Sequence, residues 1–296
     1  MTGVNEMQYV FMTDASCDLT QKQVEEAGVK VLPMEFQIED KYYQHYPDCR
    51  MMALDEFYDQ LKKGVLPKTT QINYMSFKQY FEPYLKAGKD VLYTGIPTGL
   101  SGTYDTCMIA VKELEEAYPQ RKIVVVDSRC DSAGLGLLVY LAGKEYQKGA
   151  TIEELEQFIL DTRDSIAHWF VVDDLDQLKR GGRISAVTAT FGKALQIKPL
   201  ISCDETGKLV NVGKIRGKSN VIPTLEKYVK RDAVNPKKSI AFVAHADNRE
   251  GAKELRKAIK GMFKEVQICD IGPVIGAHVG SGMLAVVFTG KRELTA

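Results

Sequence analysis

Residues 90–118 read DVLYTGIPTGLSGTYDTCMIAVKELEEAY, and the order of textures within them decides the fold. Val91 to Ile96 is a short apolar run that reads as a strand. Pro97-Thr98-Gly99-Leu100-Ser101-Gly102-Thr103 is a turn of small and hydroxyl-bearing residues. After it, Tyr104, Cys107, Met108, Val111, Leu114 and Tyr118 recur at three- and four-residue spacing, which predicts an amphipathic helix with those side chains on its inner face. A strand that turns through glycine into a helix aims backbone N–H groups and the positive end of the helix dipole at one spot. Ser101 and Thr103 add hydroxyls there, so the turn suits an anion. A simpler reading has Ser101 or Thr103 capping the helix and nothing more. The turn does not match the GxxxxGKS/T of a P-loop, and its glycines at 95, 99 and 102 do not fit the GxGxxG of dinucleotide sites. Hydroxyls without a built-in lysine suit a small, singly charged group such as a carboxylate.

Outward from this stretch, the first half alternates strand and helix. Tyr9–Met12 is a strand running into the polar turn Thr13 to Asp18, and Gln21–Ala27 is a helix closed by Gly28. Val29–Phe36 is predicted as the next strand, and the tyrosine-rich Lys41–Met52 as a loop without period. Helices at Leu54–Lys62 and Tyr74–Lys86 flank a second polar turn, Pro67–Asn73. The β-branched run Ile123–Val126 reads as a buried parallel strand, followed by a helix from near Gly134. Thr151-Ile-Glu-Glu154 is a capping box for a helix predicted to run through Ile166, with Leu155, Phe158 and Ile159 inward. Polar residues collect after the strands, at the carboxyl edge of a parallel α/β sheet, where ligands usually sit.

From Trp169 the texture changes. Phe170–Val172, Gln196–Ile201, Leu209–Ile215, Ile240–Ala244, Val266–Asp270 and Met283–Thr289 read as strands, with helices at Leu175–Lys179, Asn220–Arg231 and Arg249–Phe263. The expected fold is α/β in two domains: a parallel α/β domain over 1–165 and an α+β domain over 166–296. At 296 residues the chain is long enough for both.

Composition removes several classes. With 39 basic and 39 acidic residues the formal charge is zero, and nothing points to nucleic acid or to a general membrane-surface binder. No apolar run approaches the ~20 residues that span a bilayer, and MTGVNEMQYVFMTDAS lacks a basic-then-apolar leader pattern, so the expected location is cytoplasmic. The six cysteines (17, 49, 107, 130, 203, 269) form no CxxC pair, and the four histidines (45, 168, 245, 278) no HxxxH or HExxH, so no metal site is expected.

Two further islands stand out. Leu178-Lys-Arg-Gly-Gly-Arg-Ile-Ser185 sets arginines around a double glycine, where Arg183 can grip a carboxylate or phosphate with two prongs, or else is a solvated surface turn. Ile271 to Gly282, IGPVIGAHVGSG, places His278 in what reads as a glycine-rich loop, as an anion donor, a proton shuttle or a structural histidine.

Taken together, TDASCDL, PKTTQ, GLSGTY, VVVDS with SAGLG, LKRGGRIS, IKPLI with DETGKL, KIRGKS, HADN and IGPVIGAHVGSG run nearly end to end in an order that resembles the DegV family. Its characterised members are the fatty-acid-binding subunits of the bacterial fatty acid kinase. The resemblance implies a two-domain α/β protein that buries a long-chain fatty acid between its domains, with no cofactor and no catalysis of its own. An ATP-dependent kinase subunit would phosphorylate the carboxylate, and an acyltransferase would take the acyl phosphate toward phospholipid synthesis, with transient membrane contact on the way. Carried onto this chain, the carboxylate contacts fall on Thr69, Ser101 and His278, with Thr70 and Gly102 beside them. Arg183 falls at the mouth, and Arg216 and Lys218 of KIRGKS serve partner docking or neutralise the phosphate.

The chemistry is consistent with that implication, because each buried methylene contributes roughly 0.8 kcal/mol and a dozen give on the order of 10 kcal/mol before ordering costs. The rival reading is a stand-alone hydrolase or phosphotransferase with Ser101 as nucleophile and His278 as base. GLSGT, however, is not GxSxG, and no aspartate is assigned to orient the histidine. A transcriptional regulator would need a helix-turn-helix signal and a basic face, and neither is seen.

Overall fold

The computed structural model describes residues 8–173, 175–184 and 197–294. The first seven residues of the stretch read above for a leader, Ser185 and Gln196 lie outside the described residues. The chain opens with β1 (Tyr9–Asp14), α1 (Gln21–Ala27) and β2 (Lys30–Leu32). Pro33, which has no N–H to donate, interrupts the single strand expected over Val29–Phe36, and β3 (Met34–Ile38) joins a different sheet. The tyrosine-rich stretch expected to be a loop begins as a strand, β4 (Lys41–His45), paired antiparallel with β3. Tyr43 stacks on Phe36 with ring centroids 5.4 Å apart, and such cross-strand pairs hold a strand that has no clean alternation.

After α2 (Leu54–Lys62) comes β5 (Lys68–Thr70), a short strand inside the expected polar turn, which completes a small sheet in the order β4-β3-β5. Then follow α3 (Tyr74–Lys86), β6 (Asp90–Gly95), α4 (Thr103–Ala117), β7 (Ile123–Asp127), α5 (Ser132–Gln147) and α6 (Ile152–Arg163). Strands β2-β1-β6-β7 form the expected all-parallel sheet. On α4 the inner stripe is Thr103, Cys107, Ala110, Val111 and Leu114; Met108, expected inside, is 41% exposed. It lies a 100° helical step beyond Cys107, on the solvent flank of the stripe. The Thr151–Glu154 capping box forms, but α6 stops at Arg163, and Ile166 opens β8 (Ile166–Val171).

The second half runs α7 (Asp176–Arg180), β9 (Ile197–Cys203), β10 (Leu209–Arg216), α8 (Val221–Asp232), β11 (Ile240–His245), α9 (Arg249–Ile259), β12 (Glu265–Asp270), α10 (Pro273–Val279) and β13 (Leu284–Thr289). Its sheet has the order β10-β9-β8-β13-β11-β12 and is antiparallel except where α9 links β11 to β12 in parallel. The stretch expected to be a glycine-rich loop contains α10. Pro273 starts it, at the position where a missing N–H costs nothing.

Helix α5 is the layer that both large sheets share. SAGLGLLVYLAGKEYQ is apolar on nearly every side, and the helix packs on β1 of the parallel sheet and on β8, β11 and β13 of the other. At its start only glycine fits position 134, because a Cβ there would lie 1.8 Å from the His168 ring. One apolar core therefore runs from Phe11 and Leu92 through Leu135 and Leu138 to Phe170 and Phe242. Separate cores under α3 and α4 (Phe77, Phe81, Val111) and under α8 and α9 (Trp169, Leu225, Leu255) cover the outer faces of the two sheets. No helix among the described residues is long and apolar enough to cross a membrane.

Candidate functional site

The turn after β6, the strand β5, the turn after α7 and the helix α10 meet around a cavity of about 50 Å³. Thr69, Thr70, Ser101, Arg183 and His278, from four separate stretches of sequence, all line it, against apolar walls that include Met34, Ile96, Leu178, Leu209 and Val274.

The turn after β6 is fixed by a buried carboxylate. Asp14, at the end of neighbouring β1, accepts from the Ile96 N–H at 2.9 Å and the Tyr93 hydroxyl at 2.7 Å through Oδ2, and from the Ser16 N–H at 3.0 Å through Oδ1. Within the turn, the Leu100 and Ser101 N–H groups both donate to Pro97 O, at 3.0 and 3.2 Å. Ser101 Oγ accepts from the Thr103 N–H at 3.2 Å and lies 2.8 Å from Thr103 Oγ1. Several of the N–H groups expected to be available are thus already used, and Ser101 holds the first N–H of α4 from the position before its N-cap, Gly102, which has no side-chain cap bond. The Ser101 hydroxyl still faces the cavity. Gly102 precedes α4, and a Cβ there would come within 2.6 Å of Gln71 Oε1; the Gln71 amide in turn donates to Thr106 Oγ1 at 2.8 Å, tying β5 to α4.

Opposite this turn, Thr69 Oγ1 and His278 Nε2 are 2.8 Å apart. Thr69 is placed by its pairing with Phe36 across the small sheet. His278 stands in the last turn of α10, and Gly181 lets the backbone pass beside it, since a Cβ at 181 would be 2.5 Å from His278 Nδ1. Burial, and then the neighbouring Arg183 charge, pulls His278 down to about 4, so its imidazole is neutral at pH 7. Arg183 reaches back with Nε to Leu100 O at 3.2 Å and with Nη1 to Gly181 O. It is half-buried, burial lowers its pKa, and among the described residues it makes no ion pair with a carboxylate.

The start of α10 is fixed by Asp18, which accepts from the Gly272 N–H at 2.8 Å and the Ser132 hydroxyl at 2.7 Å. Burial pushes its carboxyl well above the usual carboxylate range. The polar turn after β1 thus acts on the site through Asp14 and Asp18, as scaffold. Gln71 and Asp131 line the cavity and were not singled out from sequence. The available signal was position, in the polar segments before α3 and after β7.

Arg216 and Lys218 are not brought to the cavity. Leu209 at one end of β10 lines it, whereas Arg216 closes the other end beside Ile197, seven residues or roughly 23 Å along the strand. Lys218 lines a separate cleft of about 580 Å³ with Lys198 and Asp173. Sequence spacing also missed one group of metal-ligand type, Asp131, His168 and Cys203, which the fold gathers near β8. His168 Nδ1 is 2.8 Å from Asp131 Oδ1, and its Nε2 is 3.3 Å from Arg292 Nη2. Both ring nitrogens are engaged and a guanidinium already supplies the positive charge, so the group reads as a structural network.

As for covalent chemistry, Ser101 bonds to Thr103 and His278 to Thr69, with no Ser101–His278 hydrogen bond among the described residues. Burial and Arg183 account for the shift of His278, and no carboxylate contributes to it.

Comparison with known proteins gives one consistent result. The profile of the DegV family, described as uncharacterised proteins, matches residues 9–291. A DegV domain-containing protein of Clostridium perfringens is 36% identical over 97% of this chain and 99% of its own. Among solved structures, a fatty-acid-binding DegV family protein from Thermus thermophilus is 26% identical, with a TM-score of 0.85 over 96% of this chain and 100% of the other. A fatty-acid-binding DegV family protein from Streptococcus agalactiae is 27% identical, with a TM-score of 0.83 over 97% and 100%.

Proposed function

The chain belongs to the DegV family, and from that premise we propose that it binds a long-chain fatty acid and presents the carboxylate to a partner kinase for phosphorylation. The observation that carries this reading is the convergence of the Thr69–His278 pair and the Ser101 hydroxyl on one mostly apolar cavity. A neutral imidazole and two hydroxyls hold a carboxylate by hydrogen bonds, with Thr70 and Gly102 at the rim and Arg183 at the mouth. The relatives that bind fatty acids support the choice of ligand.

In this reading the chain divides near residue 165. Residues 1–165 carry the carboxylate turns and 166–296 close the acyl pocket, with α5 packed between the sheets. At about 50 Å³ the cavity lies well below the ~300–1,000 Å³ of small-molecule sites, so an acyl chain enters only as Leu178, Leu209 and Val274 move apart. Arg216 and Lys218, away from the cavity, serve kinase docking, and an acyltransferase consumes the product.

The test is solvent extraction of the purified protein and mass spectrometry of the lipid, followed by uptake of long-chain fatty acid by delipidated protein. The expected result is about one fatty acid per chain. Failure of the delipidated protein to take up any long-chain fatty acid overturns the reading.

A further inference from the structure

Among the described residues Asp131 is the one acidic side chain on the cavity wall, which it shares with Ile96, Leu209 and Val274. Its place in the chain predicts another role. Asp131 is the N-cap of α5, where an aspartate ordinarily accepts from the free N–H groups of the helix. Here the side chain makes no cap bond, and the Gly134 and Leu135 N–H groups go to the Asp131 backbone carbonyl, at 2.8 and 3.1 Å.

The carboxylate turns instead to His168, whose Nδ1 donates to Oδ1 at 2.8 Å. Behind the ring, Arg292 Nη2 donates to Nε2 at 3.3 Å, and Arg292 is itself anchored by Nε to Ile166 O at 2.8 Å. Burial lowers the His168 pKa, so the ring is neutral at pH 7 and has a single N–H to give. The order guanidinium, imidazole, carboxylate uses that N–H and offsets the Asp131 charge from behind. It also leaves Asp131 with acceptor capacity to spare. A carboxylate offers about four lone-pair sites, and His168 makes the only hydrogen bond to this one among the described residues. The Asp131 side chain stays 13% accessible, against 2% for His168 behind it.

Such a wall suits a plain acyl chain poorly. Methylenes laid against a carboxylate oxygen strip its water and return no hydrogen bond, which weakens binding. A hydroxyl on the chain returns that bond, and to a charged acceptor it is one of the stronger kinds. A cavity of about 50 Å³ has room for only a few heavy atoms. A ligand carboxylate between Thr69 and His278 therefore brings the first carbons of its chain, not the tail, against Asp131.

We propose that Asp131 is a hydroxyl-binding position that selects fatty acids hydroxylated close to the carboxylate. The proposal rests on the fatty-acid reading above and narrows the ligand within that class. Asp131 touches the ligand, whereas His168 and Arg292 are positioning residues that hold one oxygen of its carboxylate and offset the charge.

The experiment displaces a fluorescent fatty acid from delipidated full-length protein with palmitate, 2-hydroxypalmitate, 3-hydroxypalmitate and 16-hydroxypalmitate. Native protein is expected to bind the 2- or the 3-hydroxy acid about tenfold more tightly than palmitate. The 16-hydroxy acid, with its hydroxyl at the far end, should gain nothing over palmitate. Asp131→Ala should reverse the order, because the hydroxyl loses its acceptor and the plain chain no longer lies against an unmatched oxygen. Asp131→Asn keeps the His168 bond through its carbonyl oxygen and a neutral amide in place of the charge, so it should cut the preference without emptying the position. A fall in all four affinities together in these variants, with the native order kept, would overturn the assignment by making Asp131 a structural residue. If native protein binds the four acids alike or prefers palmitate, the hydroxyl position is overturned and the fatty-acid reading survives. If none of the four binds native protein, both fall together.

Discussion

Thr69→Val is the most direct test of where the carboxylate sits. The substitution keeps the shape and β-branching that suit β5 and removes only the hydroxyl that lies 2.8 Å from His278 Nε2. If that hydroxyl also bonds a bound carboxylate, its loss removes a hydrogen bond to a charged group, worth roughly 1.5–3 kcal/mol, or about a tenfold to 150-fold rise in Kd. Some loss would follow for a trivial reason as well, because His278 Nε2 is left without its partner and the site itself is perturbed. Ligand chemistry separates the two causes. Palmitate and methyl palmitate share the chain, but only palmitate carries the charge, so the four affinities form a double-perturbation cycle. The expected outcome, measured by displacement of a fluorescent fatty acid, is a large penalty for palmitate and about 1 kcal/mol or less for the ester. Equal penalties for both ligands would refute the placement of the carboxylate at Thr69 and leave its hydroxyl as a structural partner of His278.

Ser101→Ala should weaken fatty-acid binding or phosphoryl transfer by about one to two orders of magnitude while costing the fold only about 1 kcal/mol for the lost hydrogen bond from the Thr103 N–H; stoichiometric labelling of Ser101 by a fluorophosphonate that disappears in His278→Ala would instead revive the hydrolase. Arg216→Ala should slow acyl phosphate formation with the kinase and leave fatty-acid affinity unchanged, and equal losses in both assays would count against a docking role. His278 should titrate by NMR near 4, and Arg183→Ala should raise that midpoint by removing the second cause of the shift; a midpoint near the ordinary ~6.5 would show that the ring is not buried as described. The linked stability follows in sign. The unfolded chain takes up the proton first, so the contribution of His278 is complete above ~6.5 and is lost as pH falls toward 4. His45, lowered to about 4 by burial, adds in the same direction, while Asp18, with its raised pKa, opposes them.

What the sequence made legible was whatever depends on local order. The strand–turn–helix of residues 90–118, the capping box at Thr151 and the β-branched run at Ile123 each fix their structure within a dozen residues, and the parallel sheet follows from their alternation. The elements that misled are those whose stability comes from contacts distant in sequence. KYYQH has no alternation of its own and becomes a strand because Phe36 offers Tyr43 a face to stack on. IGPVIGAHVGSG looks like a loop by composition, yet Pro273 can start a helix there, and Gly276 lets that helix lie against Tyr58, where a Cβ would come within 2.7 Å of the hydroxyl.

The same distinction runs through the candidate site. Ser101, Arg183 and His278 could be picked out one island at a time because each is chemically conspicuous in its own turn, whereas Thr69 was marked within its polar turn only by the family resemblance. Their supports could not be picked out. Asp14 and Asp18 look like ligand residues at a sheet edge, and only the fold shows that one holds Ile96 and the other holds Gly272, so that the two sides of the cavity face each other. Arg216 and Lys218 show the converse. They are conspicuous in sequence, but strand β10 carries Arg216 roughly 23 Å from Leu209 at the cavity wall and Lys218, beyond the strand's end, lines a separate cleft, so any part they take must be at a surface separate from the carboxylate. Sequence thus reports which groups have chemistry to offer, and the long-range contacts decide which of them can act on the same atom.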